Sequence, residues 1–321
     1  MDILILGGTV FVGRGVAEAA LARNHRVTLF HRGSKGTGIV PGADEILGDR
    51  DGGLDALKGR KWDAVVDACG YVPRVVGASA RSLRESADRY LFVSTISVYE
   101  ERDGELREFP VEAPVGIEEI TGETYGPLKI ECEREVLAAW GDKGTIVRPG
   151  LVYGPHDPTN RFPYWVGRFL HGGEVLVPDV LDNPLQQIDA RDLGNFIVLL
   201  LEKDLPGTYD AVGEPSTFGE TIAACHELNL GALPVYADAE ALEKVSVTYW
   251  QDLPLVTGEL SPMMSIHPEA ALAAGLERRS LKETTQDTAA WIQETGIPEN
   301  PRYGMSRERE REALQALRAG P

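Results

Sequence analysis

Cysteine is scarce: Cys69, Cys132 and Cys225 are the only three in a chain of 321 residues. An odd, isolated set with no C-x-x-C excludes a disulfide framework and a thiolate metal site, and the six histidines form no cluster to replace it. The expectation is buried thiols, no metal, and a reducing, cytoplasmic location. Positive charge is short as well, 32 Lys and Arg against 50 Asp and Glu, for a formal net charge of -18. Such a field repels phosphate backbones and anionic lipid, and no local basic patch offsets it, so the expected partners include no nucleic acid and no membrane. Long apolar runs are missing too. No stretch approaches the roughly 18 residues of a spanning helix, and residues 1–6 are too few and carry no basic flank for a signal segment. Neither repeats nor low-complexity tracts occur.

What is present is a 43% hydrophobic content, enough for a full core, and an alternation of short β-branched runs with longer helical patterns. The runs predict strands at residues 3–6, 27–30, around 45–47, 64–68, 90–94 and 145–147. Helices are predicted near 13–24, 72–87 and 124–140, which implies an α/β fold, a Rossmann-like doubly wound parallel sheet. From Arg148 the texture changes: Pro149, Pro155, Pro158, Pro163, Pro178 and Pro184 punctuate short apolar pieces, as in a looser binding lid. A helical stretch at 190–202 reads as a return to the first domain, and the chain from 215 onward as helices with few strands. A dinucleotide-binding domain is thus expected at 1–150 plus about 186–212. A smaller, interleaved C-terminal substrate domain would take about 151–185 and 213–321. The tail at 306–319, rich in Arg and Glu at helical spacing, predicts a solvated helix.

The first strand runs straight into Gly7-Gly8-Thr9-Val10-Phe11-Val12-Gly13 and then a helix. That order points backbone N–H groups and the positive helix end at a pyrophosphate. Gly7 allows the tight turn and Gly13 the close helix-to-strand approach, while Val10 stands where a further glycine would be expected and crowds the phosphate. After the second strand, His31-Arg32-Gly33 offers no acid for a ribose 2′-hydroxyl but a guanidinium for a 2′-phosphate. NADP(H) is therefore favoured over NAD(H), unless Arg32 is a plain surface charge. Asp49 reads equally as an acceptor for an adenine amino group and as a turn acid.

Tyr125 and Lys129 lie four apart on a predicted helix and so share a face, where an ammonium lowers the pKa of a phenol that can then shuttle a proton. Hydroxyls at the end of the fifth strand complete the constellation, with Thr95 chosen to hydrogen-bond the reacting oxygen and Ser97 a substrate candidate; without Tyr125 and Lys129 they would read as turn formers. In the lid, His156, Asn160 and Arg161 are candidates for substrate contact, or parts of a capped turn before a packed helix.

These pieces together resemble the extended, atypical branch of the short-chain dehydrogenase/reductase superfamily, in its NAD(P)-dependent epimerase/dehydratase-like group. Gly48-Asp49, Tyr125-Gly126-x-x-Lys129-x-x-x-Glu133, Arg148-Pro149-Gly150-x-Val152-Tyr153-Gly154-Pro155 and Gln187-Ile188-Asp189-x-Arg191-Asp192-Leu193 extend the likeness over nearly the whole chain. The resemblance implies Tyr125 as acid/base, Lys129 lowering its pKa and binding the nicotinamide ribose, and Thr95 orienting the substrate oxygen. It also leaves a homodimer open, since relatives often pair through helices that include the one with Tyr125. Departures narrow the chemistry. Ile96-Ser97 stand where sugar-nucleotide dehydratases carry Asp-Glu, and Leu185 where epimerases place an arginine for a diphosphate, a role open to Arg161 or Arg168 instead. Some relatives with a similar lid are associated with chloroplast RNA, which the net charge argues against here. The expected function is an NAD(P)(H)-dependent oxidoreductase or epimerase on a secondary alcohol or ketone of a small-molecule substrate, with sugar-derived molecules among the candidates. The alternative is a catalytically silent dinucleotide-binding sensor.

Overall fold

Isoleucine and leucine at every position from 3 to 6 leave no polar face, as a strand covered on both sides of a parallel sheet requires. In the computed structural model, which describes residues 1–102, 105–108, 116–256, 262–297 and 301–319, that run forms β1 (Asp2–Leu6), with Ile3 to Leu6 fully buried. β2 (Arg26–His31) and β3 (Asp44–Leu47) extend the sheet on one side, β4 (Trp62–Asp67) and β5 (Ala87–Val93) on the other. Gly144–Pro149 and Gly207–Ala211 continue beyond β5, giving seven strands, all parallel. Ile3 registers with Val27 on one flank and Ala64 on the other. Because the strand order reverses at β1, its carboxyl end is the switch point where such sheets open a ligand crevice. The expected doubly wound Rossmann-like sheet is borne out.

The chain divides into two compact units. The first comprises Met1–Val152, Ala190–Gly213 and Ile266–Arg278. Its helices include α1 (Phe11–Ala22), α2 (Pro73–Ser82), α3 (Tyr125–Trp140) and Ala190–Glu202. Leu4, Leu6, Phe30, Val65, Phe92, Val136 and Ile146 form one buried cluster with Tyr90 and Trp140, each apolar side chain contributing about 1.5–3 kcal/mol. The Trp140 indole meets its polar need by donating to Ala80 O at 2.9 Å. α1 and Ala190–Glu202 touch backbone to backbone: a Cβ on Gly194 would lie 2.4 Å from Gly15 O, and one on Gly15 would lie 2.6 Å from Ala190 O. The predicted helix 72–87 proves shorter. α2 starts on Pro73 and stops at Ser82, where Ser86 N–H bonds Leu83 O at 2.9 Å and turns the chain into β5, already paired at Ala87 with Trp62.

The second unit comprises Tyr153–Asp189, Glu214–Ser265 and Arg279–Pro321. Its proline-rich beginning is not loose. Arg161–His171 is a helix whose Phe162, Trp165, Val166 and Phe169 have no exposed surface. Gly173–Pro178 pairs in parallel with Ala232–Ala237, and Pro184–Asp189 antiparallel with Pro215–Thr217. Helices Phe218–His226 and Leu281–Thr295 each begin on a capping box, Thr217 with Glu220 and Ser280 with Glu283. The tail helix, Arg307–Ala319, corrects the solvated reading: Glu310, Ala313 and Leu314 share one buried face. Glu310 forms a buried ion pair with Arg168, and its Oε1 accepts from Leu176 N at 3.0 Å. Arg168 also donates to Gly172 O and Glu174 O, which removes it from the diphosphate role.

Candidate cofactor and reaction site

At the switch point, Gly8 has φ +91 and Gly13 rests on it so closely that a Cβ would meet Gly8 N at 2.7 Å. Only bare backbone fits this turn. Val10 precedes α1 in an extended conformation and is 37% exposed, and neither its side chain nor an acid in the first turn caps the helix. Phe11 enters the helix at φ 42, a left-handed value that strains a bulky residue. The result is a helix start at Phe11 and Val12, reached from the glycines through Thr9, that no side chain caps, and an open start of this kind suits the diphosphate of a dinucleotide.

At the end of β2 the two candidates separate. His31 is buried beneath its own loop, its Nδ1 accepting from Gly33 N at 3.1 Å and its Nε2 lying 3.6 Å from Glu45. Arg32 is exposed and has no partner among the described residues. Asp49 is exposed too, but its Oδ1 accepts from Asp51 N at 3.0 Å, an Asx turn.

The residue after it was overlooked in the sequence. Arg50 grips the buried Asp67 at the end of β4 with two bonds, of 2.6 and 2.7 Å, and reaches Ser79 at 3.0 Å. Tyr90 donates to the same carboxylate at 2.8 Å. Burial works against the charge on Asp67, but Arg50 more than offsets it and holds the carboxyl below the ordinary range. An acid closing the buried apolar run Ala64–Val66 was the signal, because a buried carboxylate demands a partner.

α3 begins at Tyr125 and packs on the short turn Ile96–Val98 that follows β5. Thr95 caps this turn: it is 7% exposed, its Oγ1 accepts from Ser97 N at 3.1 Å and donates to Ser97 Oγ at 3.2 Å. Tyr125 is half-buried, its ring 6.4 Å from that of Tyr71. One helical turn on, Lys129 is 3% exposed; Nζ donates to Gly70 O at 2.8 Å and Val93 O at 2.7 Å and lies 4.2 Å from the centre of the Phe92 ring. Burial pushes this ammonium down to about 8. Thr95, Ser97, Tyr125, Lys129 and the glycine turn therefore all belong to the first unit, around the carboxyl ends of β1, β4 and β5.

His156, Asn160 and Arg161 belong to the second unit. Asn160 Nδ2 donates to Tyr303 O at 3.0 Å, Arg161 Nε donates to Thr159 Oγ1 at 3.1 Å, and the His156 ring meets Trp291 edge-on at 5.4 Å. Among the described residues no group of three or more His, Cys, Asp or Glu could hold a metal, and no helix is long and apolar enough to cross a membrane.

Residues 65–211 match the model of the NAD dependent epimerase/dehydratase family, which bears out the likeness read from the motifs. Thr95, Tyr125 and Lys129 fall inside the match and the glycine turn before it. The chloroplast stem-loop binding protein of 41 kDa b from Arabidopsis thaliana is 25% identical over 242 residues, which are 70% of this chain and 62% of that protein. The chain thus spans less than two thirds of that relative. Among solved structures, the UDP-glucuronic acid 4-epimerase of Bacillus cereus in complex with NAD is 17% identical, with a TM-score of 0.65 over 92% of this chain and 100% of the other. The dTDP-glucose 4,6-dehydratase of Bacillus anthracis str. Ames in complex with NAD is 18% identical, with a TM-score of 0.68 over 92% and 97%. Both share the fold of this chain.

Proposed function

We propose that this chain, which matches the NAD dependent epimerase/dehydratase family over residues 65–211, is an NAD(P)(H)-dependent oxidoreductase or epimerase. Its substrate is a secondary alcohol or ketone of a sugar-derived molecule. The observation that carries the reading is Lys129, a buried ammonium with no carboxylate partner among the described residues, held by two carbonyls one helical turn from Tyr125. A lone buried cation is expensive to fold around and is kept where chemistry uses it.

A bound nicotinamide would supply the hydride acceptor and donor. Everything else falls to the chain. The backbone of Gly7, Gly8 and Gly13 and the open start of α1 hold the diphosphate, and Arg32 holds a 2′-phosphate, which makes NADP(H) the preferred form. Tyr125 takes the proton from the substrate hydroxyl or returns it to the carbonyl oxygen, and the Lys129 charge lowers the phenol's pKa toward the working pH. Thr95 turns its hydrogen from Ser97 Oγ to the reacting oxygen. With Ile96-Ser97 after Thr95 no acid and base stand ready for elimination, so the product is a ketone, an alcohol or an epimer. Three unpaired thiols suit the reducing cytoplasm.

The test is a nicotinamide fluorescence titration with NAD+, NADH, NADP+ and NADPH, followed by turnover of ketones and sugar nucleotides by wild type and Tyr125→Phe. Cofactor binding in both, with turnover lost about 100-fold or more in the variant, is expected. A variant that keeps full activity would exclude Tyr125, and binding without any turnover in wild type would favour the silent sensor.

A further inference from the structure

Thr95 and Tyr125 sit on different elements, a turn after β5 and the first residue of α3, yet proton transfer at one oxygen requires both at a fixed separation. α3 packs on the turn, and its Lys129 reaches the last carbonyl of β5. A further link runs through a third strand. Arg148, on Gly144–Pro149, is 4% exposed and divides its N–H groups between the two elements. Nε and Nη2 grip both oxygens of Glu133, on α3, at 2.9 and 2.6 Å. Nη1 donates to the hydroxyl of Tyr99, at the end of the turn, at 2.7 Å, and meets Glu108 at 2.7 Å. Tyr99 in turn donates to Asp210 on Gly207–Ala211, 3.0 Å from either carboxylate oxygen.

We propose that Arg148 is a positioning residue that ties the turn carrying Thr95, through Tyr99, to the helix carrying Tyr125 and Lys129, through Glu133, and so sets their separation. The chemistry suits the task. A guanidinium presents its donors in one rigid plane, so the fork on Glu133 fixes the direction in which Nη1 points at Tyr99. The fork buries both charges: Glu133 is 2% exposed, so α3 cannot slide or rotate without leaving an unpaired carboxylate inside. Tyr99 lies four residues after Thr95, and the turn between them is a single 3-10 turn, so holding its hydroxyl holds the cap. The proposal rests on the reading of Thr95 and Tyr125 as reacting groups, but the tether itself is measurable without turnover.

Tyr99→Phe keeps the ring and removes only the hydroxyl, leaving the buried Glu133–Arg148 fork intact, so it is the variant that folds. Hydrogen exchange of the cofactor-free protein reads the tether: the amide of Ser97, which donates to Thr95, should exchange at least tenfold faster in Tyr99→Phe, with β1 and α1 unchanged. Unchanged exchange at 94–98 overturns the proposal whatever the activity. With a substrate identified by the turnover panel, Tyr99→Phe should lower kcat about tenfold while leaving KM and NADPH affinity as in wild type. In a Thr95→Ala background the same substitution should cost nothing further, because its effect passes through Thr95. Additive losses, or a fall in thermal stability with kcat intact, would reduce the network to a structural one. Faster exchange in a protein that turns over nothing would instead refute the catalytic reading of the site.

Discussion

Lys129 and Val93 are joined by a 2.7 Å hydrogen bond from the ammonium to the last carbonyl of β5, so the helix that carries Tyr125 is pinned to the strand that ends beside Thr95. The bond does not neutralise the charge. Because burial lowers the group from 10.5 to about 8, the unfolded chain holds the proton more tightly, and folding carries a penalty of about 3 kcal/mol at pH 7. The penalty is full below pH 8 and fades as pH rises toward 10.5. Denaturant unfolding of wild type and Lys129→Met should therefore diverge in favour of wild type by about 2 kcal/mol between pH 8 and 10. A gap independent of pH would show that Lys129 is not strained by burial.

The glycine turn has no slack. Gly13→Ala places a methyl 2.7 Å from Gly8 N and 2.9 Å from Gly8 Cα, both backbone, so the turn must move. We expect a loss of about 1–3 kcal/mol in stability and NADH affinity weakened about tenfold or more. Gly122→Ala, in open space, should change neither. Calorimetry with fluorescence titration distinguishes the two.

Arg32 is exposed and lacks a partner among the described residues, so its loss disturbs no internal contact. Arg32→Ala should weaken NADPH about 10- to 100-fold and leave NADH affinity unchanged. Equal affinities for both cofactors in wild type would remove Arg32 from the site.

In the second unit, Arg168 and Glu310 are 7% and 2% exposed and paired. Removing one partner leaves a buried charge, so Glu310→Gln or Arg168→Met should each lower stability by about 3–5 kcal/mol. The double variant should recover part of that loss, read from paired denaturation curves. Two independent, additive losses would show that the pair is not coupled.

Much of the first unit was legible because its signals are local. Four apolar residues followed by glycines announce β1 and its turn, and the spacing of Tyr125 and Lys129 puts both on α3. What escaped depends on partners far along the chain. The end of α2 is set by the parallel register of Ala87 on Trp62, whose polar neighbours hid the start of β5 from any hydrophobic pattern. Arg50 with Asp67, and Glu133 with Arg148, are ion pairs made by folding alone; a sequence displays the charges but not their distances. The tail helix misled for the same reason, since Glu310 looks like its solvated neighbours until Arg168 is brought against it.

The contact between Gly15 and Gly194, and the pairing of Gly207–Ala211 with Gly144–Pro149, also fix an order of events during synthesis. Until residue 211 has cleared the ribosome, α1 lacks the helix that covers its glycine face and the sheet lacks its seventh strand. The segment Tyr153–Asp189 of the second unit is made in between, so it must wait, or fold, while the first remains open. A nascent chain stalled before Ala190 therefore leaves the Gly15 face of α1 and the free edge of Gly144–Pro149 uncovered, and offers both to a chaperone.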